Sequence, residues 1–367
     1  VVVVKSLVLE APGRFALREA PEPGRPGPGE ALVRVLRVGI CGTDLHAYRG
    51  VQAFMRYPLV LGHELSVEVL ELGPTDPAAP ARAVRVGDHC TVLPYLADGT
   101  CPACRAGRSN CCVALELLGV HRDGGMRERF VVGTAQLVAA NDLDPEVLAL
   151  VEMLAVGAHA VRRAAIAPHE RVLVVGAGPI GLSVLAFARR RAADVAALDV
   201  DPLRSAFVAA TGLARAVADA PDAAGDPVAA VRAAFGGALP DVVFDATGHR
   251  GSMERAPELV EHGGRLVYVG HTAGAITLDN PTIHRRELTL LCSRNATRAD
   301  FDEVLAALRG GEVDVRRWIT TRTPMERLVD DLPAWTRPGS GVVKAVAAWP
   351  DGAAGGQGDP PRVQERA

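Results

Sequence analysis

Hydrophobic and polar positions change their rhythm twice along the chain. Up to about residue 145, short β-like runs such as ALVRVLRVGI and HELSVEVLEL alternate with Gly/Pro-rich turns such as PEPGRPGPGE. Apolar runs bounded by turn residues predict an irregular β-rich domain. From about 146 to 287, the apolar runs RVLVV, DVAALDV, DVVFDAT and RLVYVG alternate with Ala-rich helical stretches. That β-α rhythm predicts a parallel sheet covered by helices. From Glu287 to Pro350, LTLLCS and VVKAVAAW mix with the helix-like DFDEVLAALRGG, and the final DGAAGGQGDPPRVQERA has no apolar periodicity, as in a disordered tail. The chain thus reads as α/β, with a β-rich region, a parallel-sheet region, a mixed region and a tail from 351–367.

Composition narrows this picture. A chain of 367 residues suits two domains, and 49% hydrophobic with 23% charged residues suits a packed core rather than disorder. Forty basic against 43 acidic side chains give a formal charge of −3, which disfavours nucleic-acid binding by gross basicity. The longest uncharged stretch, Val172 to Ala188, has 17 residues with three glycines and a proline, so no membrane span is expected. The opening VVVVKSLVLE has no basic leader or small-residue cleavage site, which makes the cytoplasm the expected location. Seven cysteines are too few for a disulfide scaffold, and four of them crowd between Cys101 and Cys112, a pattern better suited to metal.

RVLVVGAGPIGLSVLAFARR reads as strand, glycine turn and helix, with Gly176, Gly178 and Gly181 in a G-x-G-x-x-G. The first glycine permits the turn, the second lets backbone approach a pyrophosphate, and the third lets helix and strand pack closely. Pro179 and Ile180 complete the turn. Asp199 ends the next strand, 18 residues after Gly181. An acid there bonds the ribose hydroxyls and repels a 2′-phosphate, predicting NAD over NADP. Arg204 could reach the same ribose or lie in solvent.

A second constellation is discontinuous: Cys41-Gly42-Thr43-Asp44-Leu45-His46, then Gly62-His63-Glu64, then Glu152 within the helix-like PEVLALVEMLAVGAHAV. A buried carboxylate without a partner is expensive, so something cationic should meet Glu152. Thiolate, imidazole and carboxylate together suit Zn²⁺, and three protein ligands leave a fourth position open for chemistry. Taken singly, Cys41 could be a small core residue, His63 a hydrogen-bonded imidazole and Glu152 a salt-bridged acid.

From about Lys5 to Trp349 these motifs, with the cysteine lobe at 98–112, E-x-L-A-V at Glu152–Val156 and GAGPIG, resemble the zinc-dependent medium-chain dehydrogenase/reductase family. The resemblance implies a β-rich GroES-like catalytic domain from 1–150 and 288–350, a doubly wound parallel-sheet Rossmann domain from 151–287 that binds NAD, and a homodimer or homotetramer. It makes Cys41, His63 and Glu152 the catalytic zinc ligands and Glu64 a nearby carboxylate able to contact the metal or its water. Thr43 and His46 fall where family members run a proton relay. A glutamate as third ligand resembles the sorbitol and sugar-acid branches, and Met153 stands where the family has proline.

AYRGVQAFMRYPLVLGHE, GVHRDGGM and SRNATRADF resemble bacterial dehydrogenases of hexonates and related polyols, although Ala53 and Met55 depart from the expected proline and phenylalanine. The family's structural zinc lobe, C-x2-C-x2-C-x7-C, falls on Asp98, Cys101, Cys104 and Cys112. Asp98 replaces the first cysteine. The alternatives are a lobe held by packing alone, or Cys111 in place of Asp98. Cys90 and Cys292 read as buried core residues. Tyr48 and Arg294 either line the substrate pocket or pack and solvate ordinarily.

The implied reaction is hydride transfer between NAD and a secondary alcohol of a polyol, cyclitol or sugar acid, with zinc as Lewis acid. A reductase of the same fold is the alternative. Intact Cys41, Thr43, His63 and Glu152 argue against a non-catalytic relic.

Overall fold

The structure, a computed structural model, describes residues 3–52, 55–75, 84–192, 194–217, 226–335, 337 and 339–350. The expected disordered tail and Ala53 lie outside these residues. Val33, Val35, Val38 and Ile40 of Glu30–Ile40 and Leu65, Val67 and Val69 of Glu64–Leu72 lie in one apolar core, and the two strands pair antiparallel at the centre of a seven-stranded sheet. Lys344–Ala348, from the far end of the chain, pairs antiparallel with the other edge of Glu30–Ile40 and carries the parallel strand Ile319–Pro324 beside it. That register sets Ala345 opposite Ile40 and Gly39 opposite Glu64.

The second sheet is wholly parallel. Its order places Arg215–Ala216, Asp194–Leu198, Arg171–Val175, Val242–Asp245, Arg265–Tyr268 and Thr289–Cys292 side by side, the doubly wound 3-2-1-4-5-6 arrangement. The strand order reverses between Arg171–Val175 and Val242–Asp245, and a dinucleotide crevice forms at the carboxyl ends there. The near-continuous burial of RVLVV and VVFD follows from having helices on both faces.

Three features differ from the sequence-based expectation. Thr289–Cys292 pairs with Arg265–Tyr268 and extends the parallel sheet, so this strand lies beyond the expected limit at 287. Cys292 is exposed there rather than buried, because the strand is an edge and most of its positions face outward. The segment expected to be one packed helix is two, Pro145–Ala149 and Val151–Ala164, with the break at Leu150. Glu152 therefore sits in the first turn of the second helix.

That second helix joins the two halves of the molecule. Gly157 lies so close to Ser183, on the helix following the glycine turn, that a Cβ would come within 2.1 Å of Ser183 Oγ. Ser183 Oγ donates to Leu154 O at 2.9 Å. The helix that carries Glu152 is thus seated directly on the helix that would receive the pyrophosphate.

Candidate active site

Cys41 ends the long central strand and stands immediately before the helix Gly42–Arg49. Asp44, three residues on, accepts from Cys41 N through Oδ2 at 2.9 Å, which caps the helix and holds the thiol at its start. His63 follows Gly62, whose φ of +94° suits glycine. The turn is nested against Gly119 and Gly124, where a Cβ would come within 2.8 and 2.2 Å of Gly62 backbone atoms. That nesting is the reason GVHRDGG must be glycine-rich.

Donor atoms of Cys41, His63 and Glu64 lie within 4.8 Å of one another. Glu152, expected as the third ligand, is not in this trio: its Oε1 accepts from Tyr95 Oη at 2.5 Å. It stands close enough that its charge acts on His63 and that of Glu64 on it. The structure therefore places two carboxylates beside Cys41 and His63, with Glu64 the nearer set member.

The chemistry of the donors fits a divalent cation. Asp44, His63, Glu64 and Glu152 are all buried, and His63 Nδ1 and Asp44 Oδ1 have no hydrogen-bond partner. Burial pushes the carboxyls of Asp44 and Glu152 up, against the pull of His63. Burial also opposes a charged His63, but Cys41 and Asp44 outweigh it and raise the imidazole well above its ordinary value. Three buried acids and a thiol face one buried ammonium, an imbalance that Zn²⁺ with sulfur, nitrogen and oxygen ligands relieves.

That ammonium belongs to Lys344, which pairs with Glu64 Oε2 and donates to Ile40 O at 2.9 Å. Gly39 makes room for the pair, since a Cβ there would fall 2.2 Å from Glu64 Oε2. Sequence reasoning missed Lys344 and Tyr95. Lys344 did carry a signal: it is one of only two lysines in an arginine-rich chain, and it interrupts the apolar run VVKAVAAW.

Thr43 and His46, three residues apart on Gly42–Arg49, share a helix face just beyond Cys41. Desolvation, Arg49 and His271 together lower the His46 pKa below the ordinary histidine value. His271 follows the parallel strand Arg265–Tyr268, so this interaction spans the two halves of the chain. Tyr48 stacks on Phe15 at 5.7 Å, an ordinary packing role. Arg294 is exposed, and its carbonyl accepts from Asn110 Nδ2 at 3.0 Å.

At the glycine turn, Gly176 has φ +93°, and a Cβ on Gly181 would lie 1.8 Å from Gly176 O. Gly178 faces only Arg204, whose guanidinium is 3.8 Å from where its Cβ would be. Pro179 and Ile180 open the following helix. Asp199 accepts from Ala177 N at 2.6 Å and from Asp201 N at 2.8 Å, with Arg204 Nη1 at 3.7 Å.

In the lobe, ligand atoms of Asp98, Cys101, Cys104 and Cys112 lie within 4.8 Å of one another, while Cys111 is exposed and outside the set. Thr100 N and Cys101 N donate to Asp98 Oδ1 at 2.8 and 2.9 Å and hold its carboxyl down at about 2. A carboxylate, ionised at neutral pH, thus faces three sulfurs.

A parallel 3-2-1-4-5-6 sheet with a glycine turn, beside a β-rich unit presenting thiol, imidazole and carboxylate, defines a zinc- and nicotinamide-dependent dehydrogenase. The comparisons agree. Residues 27–142 match the alcohol dehydrogenase GroES-like domain and residues 179–310 the zinc-binding dehydrogenase domain. The chain is 43% identical over 305 residues to L-galactonate-5-dehydrogenase of Escherichia coli K12, covering 83% of this chain and 87% of that one.

Two solved structures are similar. A zinc-binding dehydrogenase of Sinorhizobium meliloti 1021 bound to NADP has a TM-score of 0.85 at 29% identity, covering 95% of this chain and 99% of its own. An alcohol dehydrogenase of Escherichia coli CFT073 complexed with NADH has a TM-score of 0.84 at 26% identity, with the same coverages. The chain belongs to the zinc-binding alcohol dehydrogenase family and is an oxidoreductase. Among the described residues no helix is long and apolar enough to cross a membrane.

Proposed function

We propose that this enzyme oxidises a secondary alcohol, at C5, of a six-carbon sugar acid, with NAD⁺ as hydride acceptor. The carrying observation is the half-buried Cys41 with the buried His63 and Glu64, and Glu152 beside them, in a chain 43% identical to an L-galactonate-5-dehydrogenase. Cys41, His63 and Glu64 would hold zinc, and Glu152 is the adjacent carboxylate. Bound there, zinc supplies Lewis acidity toward the substrate hydroxyl.

The remaining work falls to the chain itself. Lys344 balances Glu64 so that the two buried acids are not left to repel each other. Thr43 and His46 offer a path for the hydroxyl proton, and His46, neutral at neutral pH, can receive it. Asp199 supports NAD over NADP: its carboxylate, at the end of the second parallel strand, would bond ribose hydroxyls and oppose a 2′-phosphate. In the lobe, Asp98, Cys101, Cys104 and Cys112 would hold a second, structural zinc, with no position left for substrate.

A homo-oligomer also fits. Thr289–Cys292 is the open edge of the parallel sheet, with Leu290 and Cys292 exposed, and edge strands of this kind pair with a second copy.

The test is a screen of hexonates, hexitols and cyclitols with NAD⁺, following the absorbance of reduced cofactor. Turnover of a hexonate that Cys41→Ser abolishes, with NAD affinity kept within several-fold, is the expected result. Turnover unaffected by Cys41→Ser refutes the proposal.

A further inference from the structure

The lobe that gathers Asp98, Cys101, Cys104 and Cys112 hangs from a two-stranded ribbon, Tyr95–Leu96 paired with Glu116–Leu117. It grips the helix Val151–Ala164 at two points. At the ribbon, Tyr95 Oη donates to Glu152 Oε1 at 2.5 Å. Within the lobe, Asn110 Nδ2 lies 3.1 Å from His159 Nε2 and donates to Arg294 O at 3.0 Å. Glu152 and His159 are seven residues apart, two turns of helix, and so share one face.

The second grip is polar throughout: with Asn110 Nδ2 donating, His159 Nε2 accepts, and Nδ1 faces both Asp300 Oδ2 and Arg162 Nη2 at 3.0 Å. Asp300 accepts in turn from Arg162 Nε at 2.9 Å and from Thr297 N and Oγ1 at 2.7 Å. Tyr95, Asn110, Glu152, His159 and Asp300 are all buried. Simple packing of a lobe on a helix would use apolar groups. Buried polar partners instead penalise any other placement, because each is left unsatisfied if the lobe shifts.

Asn110 also reaches the segment that follows the last parallel strand. Ser293 N donates to Tyr268 O at 2.9 Å, extending the sheet at its carboxyl end, the side on which this architecture binds its dinucleotide. Asn295, two residues on, has φ +53°, the left-handed region that asparagine adopts more readily than other non-glycine residues.

We propose that the cysteine lobe is a clamp on the reaction centre: Tyr95 and Asn110 are positioning residues that set Glu152 and the Ser293–Thr297 segment, and a metal in the lobe stiffens the clamp. Asn110 lies two residues from Cys112, so the lobe's ligands and its grip are one short piece of chain. The inference rests on reading the Cys41 site as the catalytic centre.

The experiment uses the full chain loaded with Co²⁺, whose visible bands report geometry. Bands that vanish in Cys41→Ser belong to the Cys41 site. Those bands are expected to shift in Tyr95→Phe, in Asn110→Ala and in the lobe-emptying Cys104→Ser. Metal retention at the Cys41 site against a chelator is expected to fall by ~10-fold, the scale for groups that surround a metal site without ligating it. Asn110→Ala should add nothing further on the Cys104→Ser background.

Unmoved bands and unchanged retention in Asn110→Ala and Cys104→Ser overturn the clamp. Should Asn110→Ala fail to fold, Tyr95→Phe, which deletes one hydroxyl, decides the matter in the same way. If no band vanishes in Cys41→Ser, the premise falls, and the clamp with it.

Discussion

Replacing Lys344 by methionine tests the electrostatics of the centre. Lys344 is 1% exposed and pairs with Glu64, itself buried. Deleting one partner of a buried pair leaves an uncompensated charge and costs about 3–5 kcal/mol. Losing the donor to Ile40 O accounts for ~1 kcal/mol of that. In metal-free protein the melting temperature should fall by ~6–10 °C, at roughly 2 °C per kcal/mol for a chain of this size. Zinc on Glu64 would replace the missing counter-charge, so most of the loss should vanish in loaded protein. Linkage converts the recovered energy into affinity: about 3 kcal/mol corresponds to ~100-fold tighter zinc. Thermal melts with and without zinc, together with chelator competition, measure both. Equal destabilisation in the two states, with unchanged zinc affinity, would refute Glu64 as a metal ligand.

Other expectations concern separate parts of the chain. Asp199→Gly should relax the preference for NAD, read as the ratio of kcat/KM for the two cofactors; a wild type that prefers NADP contradicts the role of this acid. Asp98→Ala should lower zinc content by up to one equivalent per chain, and unchanged content in a metal assay removes Asp98 from the lobe's ligands. A lowered His46 pKa keeps the imidazole neutral down to below ~6.5. Activity should therefore fall with decreasing pH only below that point, and His46→Gln should alter this acid limb of the pH–rate profile. An identical limb in the variant excludes His46 as proton acceptor.

Much of this organisation was legible along the chain because local spacing encodes it. The strand, glycine turn and helix from Arg171 to Ala188, with Asp199 ending the next strand, needed no tertiary information. Nor did the crowding of Cys101, Cys104 and Cys112, whereas Asp98 as their companion came only from the family resemblance. The sequence order of Cys41, His63 and Glu152 foretold the neighbourhood but not which carboxylate stands nearest. That choice depends on Tyr95, which holds Glu152, and on Gly39, which leaves space for Glu64.

Lys344 was hidden for a different reason. It reaches the site through the pairing of Lys344–Ala348 with the end of Glu30–Ile40, a register between strands some 300 residues apart that no local pattern records. The break at Leu150 was concealed by apolar residues on both sides of it, which fit one helix as well as two. Thr289–Cys292 joins the parallel sheet, a partnership hidden because a short apolar strand carries no mark of its neighbours.

Anomalous diffraction at the zinc edge, from crystals of the full chain grown with zinc and NAD⁺, is the most direct measurement. A peak is expected about 2.3 Å from Cys41 Sγ and about 2.0–2.1 Å from a nitrogen of His63, with a carboxylate oxygen completing the protein ligands. A density map with no such peak, or with a peak that touches neither side chain, would contradict zinc at this site.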